Sequence, residues 1–105
     1  MTRASVQSWL RSRTPAPPAA LAAKLAECLG AAPDALLAGD SLAEINGRLG
    51  VATLRTAVQR QGMADEGAMD LLAADAFVTY AFEAAAEAKE DLPGLVHRLL
   101  AGIPA

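Results

Sequence analysis

The stretch Met69-Asp70-Leu71-Leu72-Ala73-Ala74-Asp75-Ala76-Phe77-Val78-Thr79-Tyr80-Ala81-Phe82 decides how this 105-residue chain is read. On a wheel of about 100° per residue its apolar side chains leave almost no polar face. Leu71, Val78 and Phe82 fall together; Met69, Leu72, Ala76 and Tyr80 cover the next sector; Phe77, Ala73 and Ala84 cover the far side. A helix without a polar face is enclosed by its own fold or shared with a second subunit. The pattern predicts a long central helix over about 65–90. Asp65 and Glu66 complement the positive end of its dipole, and Glu83, Glu87 and Glu90 carry its far end into water.

Working outward, Asp91 serves as N-cap of a final helix that tolerates Pro93 in its first turn and stops at Gly102 before Pro104. There Leu92, Leu95, Val96, Leu99, Leu100 and Ile103 make the cleanest amphipathic pattern in the chain. Upstream, Ser41 with Glu44 three residues later forms a capping box that starts a helix at Leu42. Leu42, Ile45 and Leu49 line its inner face, and Val51, Leu54 and Val58 continue at helical spacing to Gly62. Gly47 and Gly50 weaken a continuous helix without forbidding it, so one helix or two stay open. A further helix runs from Pro18 to Leu29, with Leu21, Leu25, Cys28 and Leu29 on one arc and Gly30 as a left-handed C-cap. Residues 31–40 leave room for one or two turns between Pro33-Asp34 and Gly39-Asp40.

Thr14-Pro15-Ala16-Pro17-Pro18 cannot be helical, because proline removes donors and pushes the residue before it out of the helical region. Residues 1–13 therefore read as a short amphipathic helix with Val6, Trp9 and Leu10 amid Arg3, Arg11 and Arg13. They are joined through a 14–18 linker to one helical-bundle domain over 19–105. The expected class is all-α, a small bundle of about five helices; no period-2 strand pattern and no solenoid repeat occurs.

Hydrophobic residues make up 53% of the chain, much of it alanine, which favours helices that approach closely around a thin core. The formal net charge is −3, which argues against non-specific coating of nucleic acid. The charges are segregated: Arg48, Arg55 and Arg60 have no acid between them, whereas residues 65–91 hold eight acids against Lys89. One cysteine excludes an internal disulfide. Neither a signal-peptide core nor a bilayer-length apolar run is found, so a cytoplasmic location is expected.

Catalytic and metal chemistry find little support. A thiol–imidazole pair would have to be Cys28 with His97, yet Cys28 lies in a leucine arc and His97 flanks the last apolar stripe. Glu83, Glu87 and Glu90 share one helix without a nitrogen ligand, and no Glu-x-x-His occurs, so a solvated acidic face is expected and no cofactor is implied. Asp75 stands mid-helix beside Leu71, Val78 and Phe82. It faces either a solvent-filled gap or a buried ion pair with Arg48, Arg55 or Arg98.

Residues 41–51, from Ser41-Leu42-Ala43-Glu44-Ile45-Asn46-Gly47 to Arg48-Leu49-Gly50-Val51, resemble the first helix and turn of a bacterial helix-turn-helix. The resemblance implies a recognition helix after Gly50, with Arg55, Gln59 and Arg60 as DNA contacts. Departures from the motif are Thr56 and Gln59 where apolar residues are wanted, Asn46 where a small one is, and Leu54 and Val58 out of register.

The expected function is a non-catalytic protein–protein interaction module: an accessory or scaffold subunit, or a homodimer. Val6, Trp9, Leu10, Arg11 and Arg13 are its candidate partner contacts, since a tryptophan on a short basic helix suits a partner's groove or a membrane headgroup zone as well as its own domain's core. A DNA-binding regulator using 42–61 and a peripheral subunit of a membrane complex are the alternatives.

Overall fold

The computed structural model describes residues 1–39, 41–60 and 64–101. They form α1 (Arg3–Arg11), α2 (Ala19–Ala31), α3 (Leu42–Gln59), α4 (Ala64–Glu87) and α5 (Leu92–Ala101), with one 3-10 turn (Asp34–Leu37) between α2 and α3. No strand occurs among the described residues. The expected helix end at Gly62 and the stop at Gly102, with Ile103 and Pro104, lie outside them.

Each boundary has a local cause. Thr2 and Ser5 cap α1 reciprocally, Ser5 N–H donating to Thr2 Oγ1 at 3.1 Å and Thr2 N–H to Ser5 Oγ at 3.0 Å. Ser41 Oγ accepts from Glu44 N–H at 3.2 Å to open α3. At the end of α4, Lys89 takes a positive φ of 56°, while Glu90 N–H reaches Ala85 O at 2.8 Å and Lys89 N–H reaches Ala86 O at 3.2 Å. This 6→1 and 5→2 pair is a Schellman stop, which ends α4 at Glu87 instead of carrying it to Glu90. Gly30 is not the left-handed cap expected of it, because α2 continues through Ala31 and turns off in extended backbone at Ala32. The C-terminal carbonyls of α2 are met from α1: the Arg3 guanidinium donates to Leu29 O and Ala32 O and pairs with Asp34 at 2.9 Å. A cation is favoured there by the helix dipole.

α3 and α4 form an antiparallel hairpin and the most extensive contact of the fold. The reason lies in small residues. Ala43, Gly47, Gly50 and Ala57 are buried on α3; Ala73, Ala74, Ala81, Ala84 and Ala85 are buried on α4. A Cβ at Gly50 would lie 2.8 Å from Val78 Cγ2 and 3.3 Å from both Ala74 O and Val78 N, so the two backbones nearly touch. At Gly47 an added Cβ would run into the Leu99 side chain from α5. The glycines therefore serve close approach, and α3 runs unbroken through both. The question of one helix or two is settled as one, and no turn exists at Gly50 for a helix-turn-helix to use.

The main core gathers Val6 and Leu10 of α1, Leu25 and Leu29 of α2, Leu37 of the 3-10 turn, Ile45 and Leu49 of α3, and Phe77 of α4. A smaller cluster of Ala43, Ala84, Ala85 and Leu95 ties α5 to the hairpin. Each large side chain here stabilises by about 1.5–3 kcal/mol over its exposed form. The radius of gyration of 13.0 Å matches the roughly 13 Å expected of a packed domain of 100 residues.

The enclosure expected for Met69–Phe82 does not hold within the chain. α4 turns the stripe of Asp70, Ala73, Phe77, Ala81 and Ala84 inward, while Leu71, Leu72 and Phe82 are 55%, 53% and 38% exposed. The small faces of α3 and α4 meet at close range, and Leu71, Leu72 and Phe82 lie on the sector of α4 left over.

Candidate interaction surface

The outward-facing leucines are not scattered. Gly50, Val51 and Leu54 of α3, Ala68, Leu71, Leu72, Ala74, Asp75, Val78 and Phe82 of α4, and Val96, Leu99 and Leu100 of α5 enclose an open groove of about 820 Å³. Gly50 and Ala74 are both buried where the hairpin seam borders the groove, and Val78 Cγ2 lies 2.8 Å from where a Gly50 Cβ would stand. The groove's rims rise as Leu71 and Leu72 on one side and Val96 and Leu100 on the other; Leu100 is 61% exposed. The apolar pattern of α5 is thus only half used inside the chain: Leu95 is buried against the hairpin, while Val96 and Leu100 face the groove.

Asp75 is the single acid of this groove, and it is exposed. Of the two readings of Asp75, the solvent-facing one holds and the buried ion pair does not: Asp75 lines the groove with Leu71, Val78 and Phe82. The buried acid is Asp70, 1% exposed. Its carboxylate takes Lys24 Nζ of α2 at 2.8 Å on one oxygen and Arg60 Nη1 at 3.2 Å on the other. Hydrogen bonding to Asp70 pushes the Lys24 ammonium above the usual lysine range. The sequence signal was present but weaker than that of Asp75, since Asp70 stands three residues before Ala73 and seven before Phe77, on the small-residue stripe.

Beside this polar cluster, Cys28 is half-buried and its thiol is pushed up in pKa by burial, which disfavours a reactive thiolate. His97 is exposed. Among the described residues no group of three or more His, Cys, Asp or Glu side chains is placed to hold a metal ion.

The N-terminal helix is a second correction. Val6 is fully buried and Leu10 7% exposed, both within the main core, so neither is available to a partner. Trp9 stands edge-on to Tyr80 at 6.1 Å with an interplanar angle of 88°. The Arg13 guanidinium covers the indole at 3.8 Å and reaches Glu87 at 2.5 Å and Glu83 at 3.9 Å. Arg13 hydrogen bonding holds the Glu87 carboxyl below the usual range, and burial raises the Tyr80 phenol. Only Arg11 of the proposed contacts is exposed. α1 docks on its own domain because a three-turn helix gains more from filling that core than from standing alone.

Of the residues expected to touch DNA, Arg55 and Gln59 are exposed on α3, while Arg60 is held by Asp70 and approaches Glu66 at 3.9 Å. They share one uninterrupted helix packed along α4, not a separate recognition helix. No described helix is long and apolar enough to cross a membrane. Comparison with known family models, curated proteins and solved structures finds no match.

Proposed function

We propose that this chain is a non-catalytic helical interaction module, an accessory or scaffold subunit or a homodimer, whose docking surface is the groove between α3, α4 and α5. One observation carries the reading: of the eight large apolar side chains exposed among the described residues, five (Leu71, Leu72, Phe82, Val96 and Leu100) border one concave surface. Contiguous apolar surface around a depression is the form in which grooves accept the apolar face of another helix. The sequence-level candidates on α1 drop out of this role, because their apolar atoms already serve the core.

Site-specific photo-crosslinking in the cells that make the protein tests the reading. A photoreactive side chain at Leu72 or Leu100 is expected to give discrete adducts, whereas the same group at Ala20, exposed on α2, is expected to give none. Adducts from Ala20 as abundant as those from the groove, or an absence of adducts at both groove positions, would refute it.

A further inference from the structure

Behind Val51 and Leu99, apart from the groove, lies a second hollow of about 300 Å³. Its α3 side is a single face: Arg48, Val51, Ala52 and Arg55 recur at i, i+3, i+4 and i+7, so two guanidinium groups flank an apolar strip. The 3-10 turn adds Ala35 and Leu36, and α5 adds Arg98 and Leu99. Leu99 packs over Gly47, where no Cβ stands in its way, and this contact brings its neighbour Arg98 to the α3 face from the far end of the sequence.

Three cations and no acid line this hollow, in a chain whose formal net charge is −3. Arg48 is braced by Glu44 at 2.9 Å; that bond uses one of the five N–H donors of a guanidinium. Arg55 is engaged in turn. Arg98 is exposed and, among the described residues, pairs with no carboxylate; Asp91 stands near it at Gly94 without forming an ion pair. Like charges around an apolar floor repel one another, and an anion seated among them reverses that repulsion.

We propose that this hollow binds a small phosphate monoester, with its phosphate among Arg48, Arg55 and Arg98 and its carbon body on Leu36, Val51 and Leu99. The chemistry selects the ligand. A phosphate monoester carries nearly two charges at neutral pH and three terminal oxygens, and guanidinium forks match those oxygens in pairs. A carboxylate offers one charge and two oxygens, too few for three cations approaching from two helices. The apolar floor favours an ester over the bare ion, and the volume stands at the lower end of the roughly 300–1,000 Å³ of small-molecule sites.

Titration of the purified chain with phenyl phosphate tests the proposal, followed by amide chemical shifts in NMR at about 0.15 M salt, where purely long-range attraction is screened. Saturable shifts at residues 35–36, 51–55 and 98–99 are expected. Arg98→Gln, at an exposed position, is expected to weaken binding about tenfold, the loss of one charge-assisted contact. Arg11→Gln, exposed on α1, is expected to change nothing, and circular dichroism verifies that both variants are folded. Inorganic phosphate is expected to bind more weakly than the ester. Co-sedimentation with phosphatidic acid vesicles identifies the source: vesicle binding lost in Arg98→Gln assigns the phosphate to a lipid headgroup, and phenyl phosphate binding without it assigns a free ester. The proposal is overturned by shifts that do not saturate by about 10 mM, far weaker than a specific small-molecule site. An Arg98→Gln variant that binds like wild type, an equal loss in Arg11→Gln, or inorganic phosphate binding as tightly as the ester would overturn it too.

Discussion

Replacing Gly50 by alanine measures how closely α3 and α4 approach. In an open mid-helix position the change would stabilise by about 1 kcal/mol, because alanine loses less backbone freedom on folding. Here the new methyl would sit 2.8 Å from Val78 Cγ2 and 3.3 Å from Ala74 O and Val78 N, against the roughly 3.5–4.0 Å of unstrained carbon contacts. Val78 can rotate, but the backbone atoms yield only if the hairpin parts along its length. Overpacking of this kind costs about 1–3 kcal/mol, and with backbone as the obstacle the upper part of that range applies. The net expectation is a loss of about 1–2 kcal/mol, which lowers the melting temperature by roughly 5–10 °C in a domain of this size. Gly30 is the internal control: nothing lies within 4 Å of a Cβ there, so Gly30→Ala is expected to stabilise by about 0.5 kcal/mol. Urea unfolding followed by circular dichroism, with an unchanged m-value, reports both. A Gly50→Ala variant as stable as the wild type would mean that the hairpin is looser than described and that its glycines are not there for close approach.

Asp70→Asn strips the carboxylate from Lys24 and Arg60; those cations reach water to differing degrees, so the expected loss is about 2–3 kcal/mol, less than for a wholly buried pair. Asp75→Asn, at an exposed position, is expected to fall within about 0.5 kcal/mol of wild type in the same unfolding assay. Because Lys24 is raised in the folded state, its contribution is complete below the unfolded lysine pKa and is lost as pH rises through the folded one. Unfolding midpoints over an alkaline pH series should show that loss in wild type and not in Lys24→Met. Glu87 has the opposite sign: its lowered pKa gives a contribution present above the usual carboxylate range and lost as pH falls through the folded value. Trp9, the one tryptophan of the chain, is expected to report this as an acid transition in its fluorescence that Arg13→Gln abolishes.

Which parts were readable follows from how strong each local signal was. The five helices were legible in outline, since their breakers and caps act through neighbours in sequence. Thr14 to Pro18 excludes helix whatever surrounds it, and Ser41 finds its partner three residues away. Gly30 and Lys89 show the limit of such reasoning: the glycine was the natural left-handed residue, but Arg3, distant in sequence, meets the α2 carbonyls. The left-handed residue is a lysine whose cap is completed by the turn it closes.

The candidate site divides along the same line. An apolar surplus on residues 69–82 and on the final helix was evident from composition, and it is the material from which the groove is made. Which sector faces inward was not evident, because leucine and alanine both count as apolar while only their sizes differ. Asp75 stands out over Asp70 in the sequence for that reason, its neighbours on the wheel being the larger side chains.

The sequence by itself determined helical class, approximate segment boundaries and an excess of apolar surface, because these depend on contacts within a few residues. Tertiary structure alone decided that glycine and alanine faces meet and that large side chains are left at the rim. Only there did α1 become core and Asp70 gain two cations. Packing selects the pair of surfaces with the closest fit, and fit is a property of two helices together that neither carries alone.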